Sequence, residues 1–357
     1  MGLVGPVPPP LGGMAAQTRQ LSQLLQKDGI EVVQLATNAP CQPLWIARLP
    51  MVRALWRLIP YLCACWRLAG RVRVIHLMAN SGWSWQLYAA PVLWLAVWRK
   101  TPVVVNYRGG EARNYLTKSL RWIRPSLRRA SALVVPSTYL KEVFTEFGFS
   151  ASVVPNIVDI ERFRPADTGH QGGGDFTVIV TRHLERIYGI DTALRAIAIA
   201  APAIPGLRVL IAGEGPLREQ LQAQARDLGI AGTVEFIGQL EREEIARVYR
   251  GADMMLNPST VDNMPNSVLE ALASGVVVVS TDVGGVPHVV THGQTALLSP
   301  AGDAGAMAAH MVQVYQDPVL RQRLVAAGLA HVEQFSWPYV REQWLAIYRQ
   351  RVAEEIV

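Results

Sequence analysis

Cysteine is scarce in this chain of 357 residues, which contains only Cys41, Cys63 and Cys65. They form neither a C-x-x-C pair nor an even set, so the sequence predicts no disulfide framework and no structural zinc, and it favours a reducing cytoplasm. The N-terminus has no basic region followed by an apolar core, which argues against a signal peptide. The apolar run from Leu87 to Trp98 is shorter than the ~20 residues that span a bilayer, and it predicts a buried helix between two strands.

Metal-ligand patterns and, in the second half, lysine are missing. The sequence has no D-x-D motif and no His/Asp cluster with the spacing of metal ligands, so we expect chemistry that needs neither a metal nor another cofactor. Residues 166–357 contain no lysine. An anion bound there must therefore be held by arginine or by the N–H groups at a helix N-terminus.

Charge and tryptophan are unevenly distributed. Residues 1–165 contain 20 Lys or Arg and 7 Asp or Glu, whereas the remainder contains 14 and 21. Seven of the ten tryptophans fall within 54 residues of the basic half, with arginines among them: Trp45, Trp56, Trp66, Trp83, Trp85, Trp94 and Trp98, with Arg48, Arg53, Arg57, Arg67, Arg71 and Arg73.

This pattern is typical of an amphipathic helix on an anionic leaflet, so segment 45–73 predicts peripheral contact with the cytoplasmic face of the inner membrane. The alternative is an ordinary helix with core tryptophans and solvated arginines. Nucleic acid is not an expected partner, because no recognisable motif for it is present.

Apolar β-rich runs alternate with helical patterns along the whole chain. Continuous apolar strands in this order predict an α/β fold with two Rossmann-like domains, whose parallel sheets are covered on both faces. The turn-rich segment 164–175 is expected to link domain 1–165 to domain 176–335. The predicted strands are 30–36, 72–78, 102–106, 132–136, 176–180, 207–212, 233–237, 253–257 and 276–280, and the predicted helices are 14–27 (closed by Gly29), 191–201, 216–228, 241–250 and 265–274.

The segment from Asn257 to Pro287 contains two acidic residues eight positions apart. It is expected to form strand, loop, helix, strand and loop, with Asp262 in the first loop and Glu270 on the helix. Pro265 suits the first helical turn, and Gly275 suits a left-handed residue just past the last turn. The free N–H groups at the start of this helix open onto the loop that follows a strand, where open α/β sheets bind anions.

The spacing of the two acids resembles the signature of the family 4 retaining glycosyltransferases, in which an acidic residue is followed, after seven residues, by Glu-Ala. Four further motifs in the family's order extend the resemblance over nearly the whole chain: Gly12-Gly13, Val154-Pro155-Asn156, Gly213-Glu214-Gly215-Pro216 and Phe335-Ser336-Trp337. The resemblance implies the B-type fold, with two domains facing each other across a cleft. It also implies that the last helix, 336–357, returns to the first domain.

For the second domain, the resemblance implies a nucleotide-sugar site. Arg182 matches the family's phosphate-binding arginine, and Glu270 would accept hydrogen bonds from the ribose. The lysine that usually follows six residues after the arginine is replaced by Tyr188, which could donate its hydroxyl, and Arg186 is the nearest other cation. Gly213 and Glu214 resemble the turn beside the nucleotide base, and Gly284-Gly285 resembles another loop of close approach.

Asp262 stands where the family most often carries Glu, and Asn263 and Met264 replace the usual Gly and Phe. Asp262 is expected to contact the transferred sugar, and the backbone N–H groups from Asn263 to Asn266, with Pro265 between them, are expected to face the sugar and phosphates. The alternative is that Asp262 and Asn263 form an Asx turn or a cap.

In the first domain, Gly12 and Gly13 precede a helix and would let a phosphate or sugar approach the backbone. Arg108 stands where many relatives place a histidine of the cleft. It cannot act as a base, but it could hold the donor or an acidic acceptor, with Glu111 orienting it; an interdomain ion pair is the alternative. His76 and Asn80 are further candidates for residues of the cleft. The alternative for His76 is a hydrogen-bonded histidine of the core.

These assignments predict a retaining, metal-independent glycosyltransferase with Arg108, Glu111, Arg182 and Asp262 at the reacting groups. The donor would be a UDP- or GDP-sugar, and the acceptor a saccharide or lipid-linked saccharide in surface polysaccharide biosynthesis. Fixed cations would stabilise the departing diphosphate, which could itself take the acceptor proton. A sugar-nucleotide epimerase and a non-catalytic nucleotide-sugar-binding scaffold are the alternatives.

Overall fold

The computed structural model describes residues 1–9, 12–39, 50–166 and 175–354. Contacts divide the chain into two units, one of Met1–Ile157 with Val340–Val357 and one of Val158–Tyr339. The boundary precedes the expected one near residue 165, because Val158 and Phe163 pack in the core of the second unit and the Val158 N–H donates to the Phe335 carbonyl (2.9 Å). Most of the expected linker, residues 167–174, lies outside the described residues.

The first unit contains a six-stranded parallel sheet. In spatial order its strands are β2 (Val33–Ala36), β1 (Gly2–Gly5), β3 (Ile75–Ala79), β4 (Val103–Tyr107), β5 (Ala132–Val135) and β6 (Ser152–Val153). Four of them were predicted. The short, glycine-bounded β1 and the two-residue β6 were missed because neither carries a β-branched run. A Cβ at Gly5 would lie 2.8 Å from the Met78 Cβ, so glycine lets β1 lie close beside β3.

Among the residues that the structure describes, five helices connect these strands. They are α1 (Gly13–Lys27), α2 (Pro50–Ala69), α3 (Ala90–Trp98), α4 (Ala112–Leu127) and α5 (Thr138–Glu146), and a π-helical turn at Trp85–Ala89 leads into α3. The expected helix between β3 and β4 is therefore present. It is not fully buried, however, because Trp94, Val97 and Trp98 on its outward face are exposed.

The second unit contains a second six-stranded parallel sheet. Its strands, in spatial order, are β12 (Leu297–Ser299), β11 (Val277–Thr281), β10 (Met254–Asn257), β7 (Phe176–Thr181), β8 (Leu207–Ala212) and β9 (Val234–Gly238). The six helices around it are α6 (Ile190–Ala200), α7 (Arg218–Asp227), α8 (Arg242–Arg250), α9 (Asn266–Ala273), α10 (Ala304–Gln316) and α11 (Pro318–Val332). The five predicted strands and four predicted helices agree within two residues, whereas β12, α10 and α11 were not predicted.

Both faces of the second sheet are buried, as continuous apolar strands require. Val178 and Val180 of β7 pack with Ile197 of α6 and Met307 of α10, whereas Ile179 points to the opposite face. There it packs with Val268 of α9. This arrangement confirms the predicted α/β class.

The last helix, α12 (Trp337–Glu354), lies mostly within the first unit. Tyr348 and Trp344 on this helix contact His76 of β3, with ring centroids 6.0 and 4.7 Å from the imidazole. These contacts place the end of the chain in the first unit. Within the described ranges, no helix combines the length and the hydropathy needed to cross a bilayer.

Candidate functional site

A polar cluster lies at the carboxyl ends of β7 and β10 in the second unit. Arg182 follows β7, and its Nε and Nη2 atoms donate to Oδ1 of Asn257, the last residue of β10, over 2.9 and 2.8 Å. Nη2 also donates to Oδ2 of Asp262 in the loop after β10. The Arg182 and Asp262 side chains are only 11% and 12% exposed. The cation that the sequence assigned to phosphate is therefore neutralised by a neighbouring carboxylate.

Asn257 is held in place by its neighbours on the same sheet edge. Its Oδ1 accepts from the Ser259 hydroxyl (2.9 Å), and its Nδ2 donates to the Ser280 hydroxyl on β11 (2.9 Å). Sequence reasoning missed this residue, although a polar residue that ends an apolar strand, M-M-L-N, is a usable signal. Because Asn257 is held in this way, it fixes the direction of the Arg182 guanidinium.

Asp262 makes a local backbone contact, as its alternative interpretation expected, and also an ion pair with Arg182 that the sequence did not predict. Its Oδ1 accepts from the Asn263 N–H (3.0 Å) in a local turn, while Oδ2 pairs with Arg182. Its carbonyl accepts from the Gly285 N–H (3.1 Å), and a Cβ at Gly285 would lie 2.0 Å from the Asn263 carbonyl oxygen. The close approach at Gly284-Gly285 is thus made by the Asp262 loop itself.

The start of α9 differs from the prediction in two respects. Pro265 has an extended ψ of 116° and precedes the helix, which begins at Asn266, so its placement within the first turn was wrong. The expected row of N–H donors from Asn263 to Asn266 is also shorter, because proline has no N–H and the Asn263 N–H is used by Asp262. The Met264 side chain packs into the core. Gly275 follows the helix at φ +71°, as predicted.

Ser267, in the first turn of α9, has a buried hydroxyl group. Its Oγ makes no hydrogen bond to any residue that the structure describes, whereas its carbonyl accepts from the Tyr249 hydroxyl (3.1 Å). A buried hydroxyl group without a hydrogen-bond partner costs free energy. A ligand oxygen at this position would accept a hydrogen bond from it and so remove that cost.

Glu270 lies on α9 with its side chain 17% exposed and 3.7 Å from Arg242 of α8. The alternative of a solvent-exposed helical glutamate is therefore wrong. Burial raises the pKa of Glu270 to about 7, against the opposing effects of Arg242 and Arg182. A desolvated carboxyl group that a helix holds in place is suited to accept hydrogen bonds from hydroxyl groups.

Tyr188 contacts Arg182, whereas Arg186 does not join the cluster. The Arg182 Cζ lies 5.3 Å from the centre of the Tyr188 ring, and burial raises the pKa of this tyrosine. Arg186 is exposed in the short helical turn Arg186–Tyr188. Gly189 ends that turn at φ +60°, and a Cβ there would meet the Pro258 carbonyl oxygen at 2.1 Å.

The glycine turn after β8 packs on the backbone that carries Arg182. A Cβ at Gly213 would lie 1.9 Å from the Arg182 carbonyl oxygen, and one at Gly215 would lie 2.5 Å from that of Leu184. The Leu184 N–H donates to the Glu214 carbonyl (3.0 Å). The Glu214 side chain is exposed and pairs with Arg218, so what this turn does in the structure is hold the Arg182 loop.

In the first unit, Arg108 follows β4 and donates through Nη2 to Oδ1 of Asn156, and burial lowers its pKa to about 10. Its observed partner is thus Asn156 and not Glu111, which is exposed at the start of α4. Gly12 precedes α1 in an extended conformation, and a Cβ there would meet no atom of the described residues within 4 Å. Gly13 begins the helix.

His76 is a core residue, as its alternative interpretation held. Asn106 Nδ2 donates to its Nε2 (3.2 Å), which places the proton on Nδ1, 2.7 Å from the Tyr348 hydroxyl. Burial, followed by the charge of Arg108, lowers the pKa of His76 to about 3. Asn80 accepts the Ser81 N–H at its Oδ1 (2.8 Å), a local contact.

Two family models match consecutive parts of the chain. "Glycosyltransferase Family 4" matches residues 11–162, and "Glycosyl transferases group 1" matches residues 164–331. The chain belongs to the family 4 glycosyltransferases. This confirms the resemblance drawn from the five motifs and identifies the protein as a glycosyltransferase.

Similar proteins agree with this assignment. The chain is 26% identical to the phosphatidyl-myo-inositol mannosyltransferase of Mycolicibacterium smegmatis, over 94% of this chain and 90% of that protein. It is 33% identical to the D-inositol 3-phosphate glycosyltransferase of Acidothermus cellulolyticus, over 57% of this chain and 48% of that one.

Solved structures show the same fold. The sucrose-phosphate synthase of Thermosynechococcus elongatus matches 99% of both chains with a TM-score of 0.79 at 20% identity. Anabaena HepE in complex with UDP matches 98% of this chain and 99% of its own with a TM-score of 0.76 at 17% identity. The predicted B-type fold is confirmed.

Proposed function

We propose that this glycosyltransferase retains the anomeric configuration and transfers a sugar from a UDP- or GDP-sugar to a saccharide or lipid-linked saccharide of surface polysaccharide biosynthesis. The observation that carries the proposal is the grouping of Arg182, the first turn of α9 and the buried Glu270 at one sheet edge. HepE, which shares the fold, is solved with UDP, and the mannosyltransferase relatives are named for a lipid acceptor. These comparisons support the proposed donor and acceptor classes.

The donor diphosphate would bind Arg182 and the start of α9. Its negative charge would displace Asp262 from the Arg182 guanidinium, whose direction Asn257 maintains. The charge that grows on the departing diphosphate would then face fixed donors, which need not reorganise during the reaction. The Ser267 hydroxyl, which lacks a partner, would add one donor to a phosphate oxygen.

Transfer would break the bond between the anomeric carbon and the diphosphate oxygen, and would form a bond from that carbon to the acceptor oxygen on the same face. The acceptor proton would pass to the departing phosphate oxygen. No side chain needs to act as a nucleophile, which agrees with a cluster that offers cations and hydroxyl groups. Asp262, released from Arg182, would be available to the hydroxyl groups of the transferred sugar.

Glu270 would accept hydrogen bonds from the ribose hydroxyls. Its partial burial limits competition from water, and its position on a helix restricts its movement. Arg108, held by Asn156, and the open space beside Gly12 would serve the sugar or the acceptor in the first unit. We expect activity without a metal; within the described ranges, no three His, Cys, Asp or Glu side chains are grouped as metal ligands.

Thermal shift with a panel of nucleotides and nucleotide sugars tests the donor, since a ligand that binds only the folded protein raises its melting temperature. We expect UDP or GDP derivatives to raise it equally with and without EDTA. Glu270→Ala should abolish the shift, whereas Glu219→Ala on the exposed face of α7 should retain it. An unchanged shift in Glu270→Ala would contradict the ribose role. Binding without transfer to any membrane extract would favour the scaffold alternative, and turnover of the nucleotide sugar without an acceptor would favour the epimerase.

A further inference from the structure

The outer surfaces of α2, α3 and α4 expose aromatic and aliphatic side chains to solvent. Trp98 on α3 and Trp122 on α4 are 75% and 76% exposed. Val97 beside Trp98 is also exposed, and Trp66 and Trp94 are partly so. A helix that is apolar on both its inner and its outer face is normally buried, yet α3 lies at the surface. Exposed apolar patches of this kind mark sites of interaction.

Two arginines join these helices into one continuous surface. The Arg99 guanidinium lies over the Trp66 ring of α2, 4.7 Å from its centre, and Arg129 lies over the Trp94 ring of α3 at 3.2 Å. Since Arg99 follows α3 and Arg129 follows α4, each contact links neighbouring helices. We call the surface made of Trp66, Trp94, Val97, Trp98 and Trp122 with these two arginines the aromatic–basic surface.

Its charge has one sign. Helices α2, α3 and α4 contain no Asp or Glu, and between Glu31 and Glu142 the sequence has a single acid, Glu111, against sixteen Lys or Arg. Lys100, Arg121 and Arg128 are exposed close to the tryptophans in sequence. Cations near helix C-termini are stabilised by the helix dipole, so they carry little information alone. Together with the exposed tryptophans, these cations are complementary to a surface that is anionic outside and apolar beneath.

We propose that the aromatic–basic surface docks on an anionic lipid bilayer, with its tryptophan rings at headgroup depth and its cations on lipid phosphate. A second copy of the chain fits less well, because a two-fold interface would bring the same cations together without acids to pair them. Nucleic acid fits less well, because Val97 can neither stack on a base nor bind a phosphate. The inference extends the proposed function, since it says where an enzyme with a lipid-linked acceptor meets the membrane.

The surface differs from the segment that the sequence indicated. Of residues 45–73, residues 45–49 lie outside the described residues, and the side chains of residues 50–56 are not described. Of the tryptophans of the aromatic–basic surface, only Trp66 belongs to that segment. Trp85 is fully buried and donates to the Ser126 hydroxyl (3.0 Å), so the alternative of a core tryptophan holds there.

Vesicle flotation of the full chain tests the inference, with phosphatidylcholine vesicles that contain or lack phosphatidylglycerol. We expect binding only to the anionic vesicles. Trp98→Ser with Trp122→Ser should weaken it by about ten-fold or more. The matched control, Ile199→Ser with Val319→Ser, removes two exposed aliphatic side chains of the second unit and should bind as the wild type does.

A charge series completes the test. Lys100→Gln with Arg121→Gln should weaken binding by about five-fold for each cation. Arg226→Gln with Arg323→Gln, two exposed cations of the second unit, should not. Equal flotation of the tryptophan variant and the wild type would overturn the proposal, as would binding that ignores lipid charge. If light scattering showed a dimer for the wild type and a monomer for the tryptophan variant, the surface would be assigned to a second copy of the chain instead.

Flotation needs no nucleotide sugar, and the thermal shift needs no vesicle, so the two proposals can fail separately. A preparation that floats but shows no shift with any nucleotide would contradict the proposed donor and leave the membrane surface standing. A preparation that shows a normal thermal shift but does not float would contradict the membrane surface and leave the proposed donor supported.

Discussion

Arg182 and Asp262 form an ion pair in which each side chain is only about one-tenth exposed. The carboxylate lies on the guanidinium that the family signature assigns to phosphate. Asn257 Oδ1 accepts two further hydrogen bonds from the same guanidinium. Under the proposed function, the diphosphate of the donor would have to compete with this internal anion for Arg182.

Asp262→Asn should strengthen the binding of UDP or GDP. The asparagine oxygen can still accept the Asn263 N–H, but the competing negative charge on Arg182 is gone. We expect a several-fold lower Kd by titration calorimetry and, because a buried cation loses its counter-ion, a free energy of unfolding lower by about 3 kcal/mol without nucleotide. Asp191→Asn, in an exposed pair with Arg195, is the control. Weaker nucleotide binding by Asp262→Asn would show that Asp262 assists the site.

Gly213→Ala should disrupt donor binding by displacing the loop that carries Arg182. The added Cβ would meet the Arg182 carbonyl oxygen at 1.9 Å, and backbone cannot move aside cheaply. We expect a lower melting temperature together with a loss of the nucleotide-induced shift. Gly232→Ala, where a Cβ would meet nothing within 4 Å, should retain both. A normal shift in Gly213→Ala would mean that the Arg182 loop tolerates displacement.

Glu270 should make stability depend on pH. Its pKa is raised from 4.5 to about 7 in the folded state, so the folded protein binds the proton more tightly than the unfolded chain does. The resulting stabilisation is complete below pH 4.5 and is lost as the pH rises through about 7. Its upper limit is about 3 kcal/mol.

Glu270→Gln, which mimics the neutral acid, should therefore gain stability relative to the wild type between pH 5 and pH 8, as urea unfolding can measure. The ionised carboxylate accepts hydrogen bonds better, so the affinity of the wild type for nucleotide should rise over the same range. Parallel stability profiles of the two proteins would contradict the raised pKa.

Tyr348→Phe should destabilise the first unit. The phenylalanine cannot accept the proton on His76 Nδ1, and that N–H would be left unsatisfied in the core. We expect the free energy of unfolding to fall by about 1–3 kcal/mol at pH 8, measured in urea. Tyr339→Phe, on the exposed side of the same helix, should change it by less than about 0.5 kcal/mol. Equal stability of both variants would mean that His76 finds another acceptor.

Several features of the site could be predicted from local sequence. Strands such as Val277–Thr281 are buried on both faces and so read as unbroken apolar runs. Gly275 has the left-handed φ that a helix end favours, and chain order places Arg182 after one strand and Asp262 after another. These features depend on contacts between residues that are close in the chain, or on the pattern of apolar residues that burial requires along a strand or helix.

Other features depended on residues far apart in the chain. The pairing of Arg182 with Asp262 joins positions 80 residues apart, and the imidazole of His76 meets a hydroxyl 272 residues away. No local pattern distinguishes a histidine of an active site from one held in a core. Pro265 was misplaced by one residue because loop geometry, and not proline itself, decides where α9 begins.

The sequence by itself determined the family, the two parallel α/β sheets and the basic, tryptophan-rich character of the first half, because burial periods, signature spacing and charge are properties of the chain. Only the tertiary structure decided which charges neutralise each other and which tryptophans stay exposed. Those outcomes follow from how strand ends and helices come together in space, where distance and access to water set the free energy of each group.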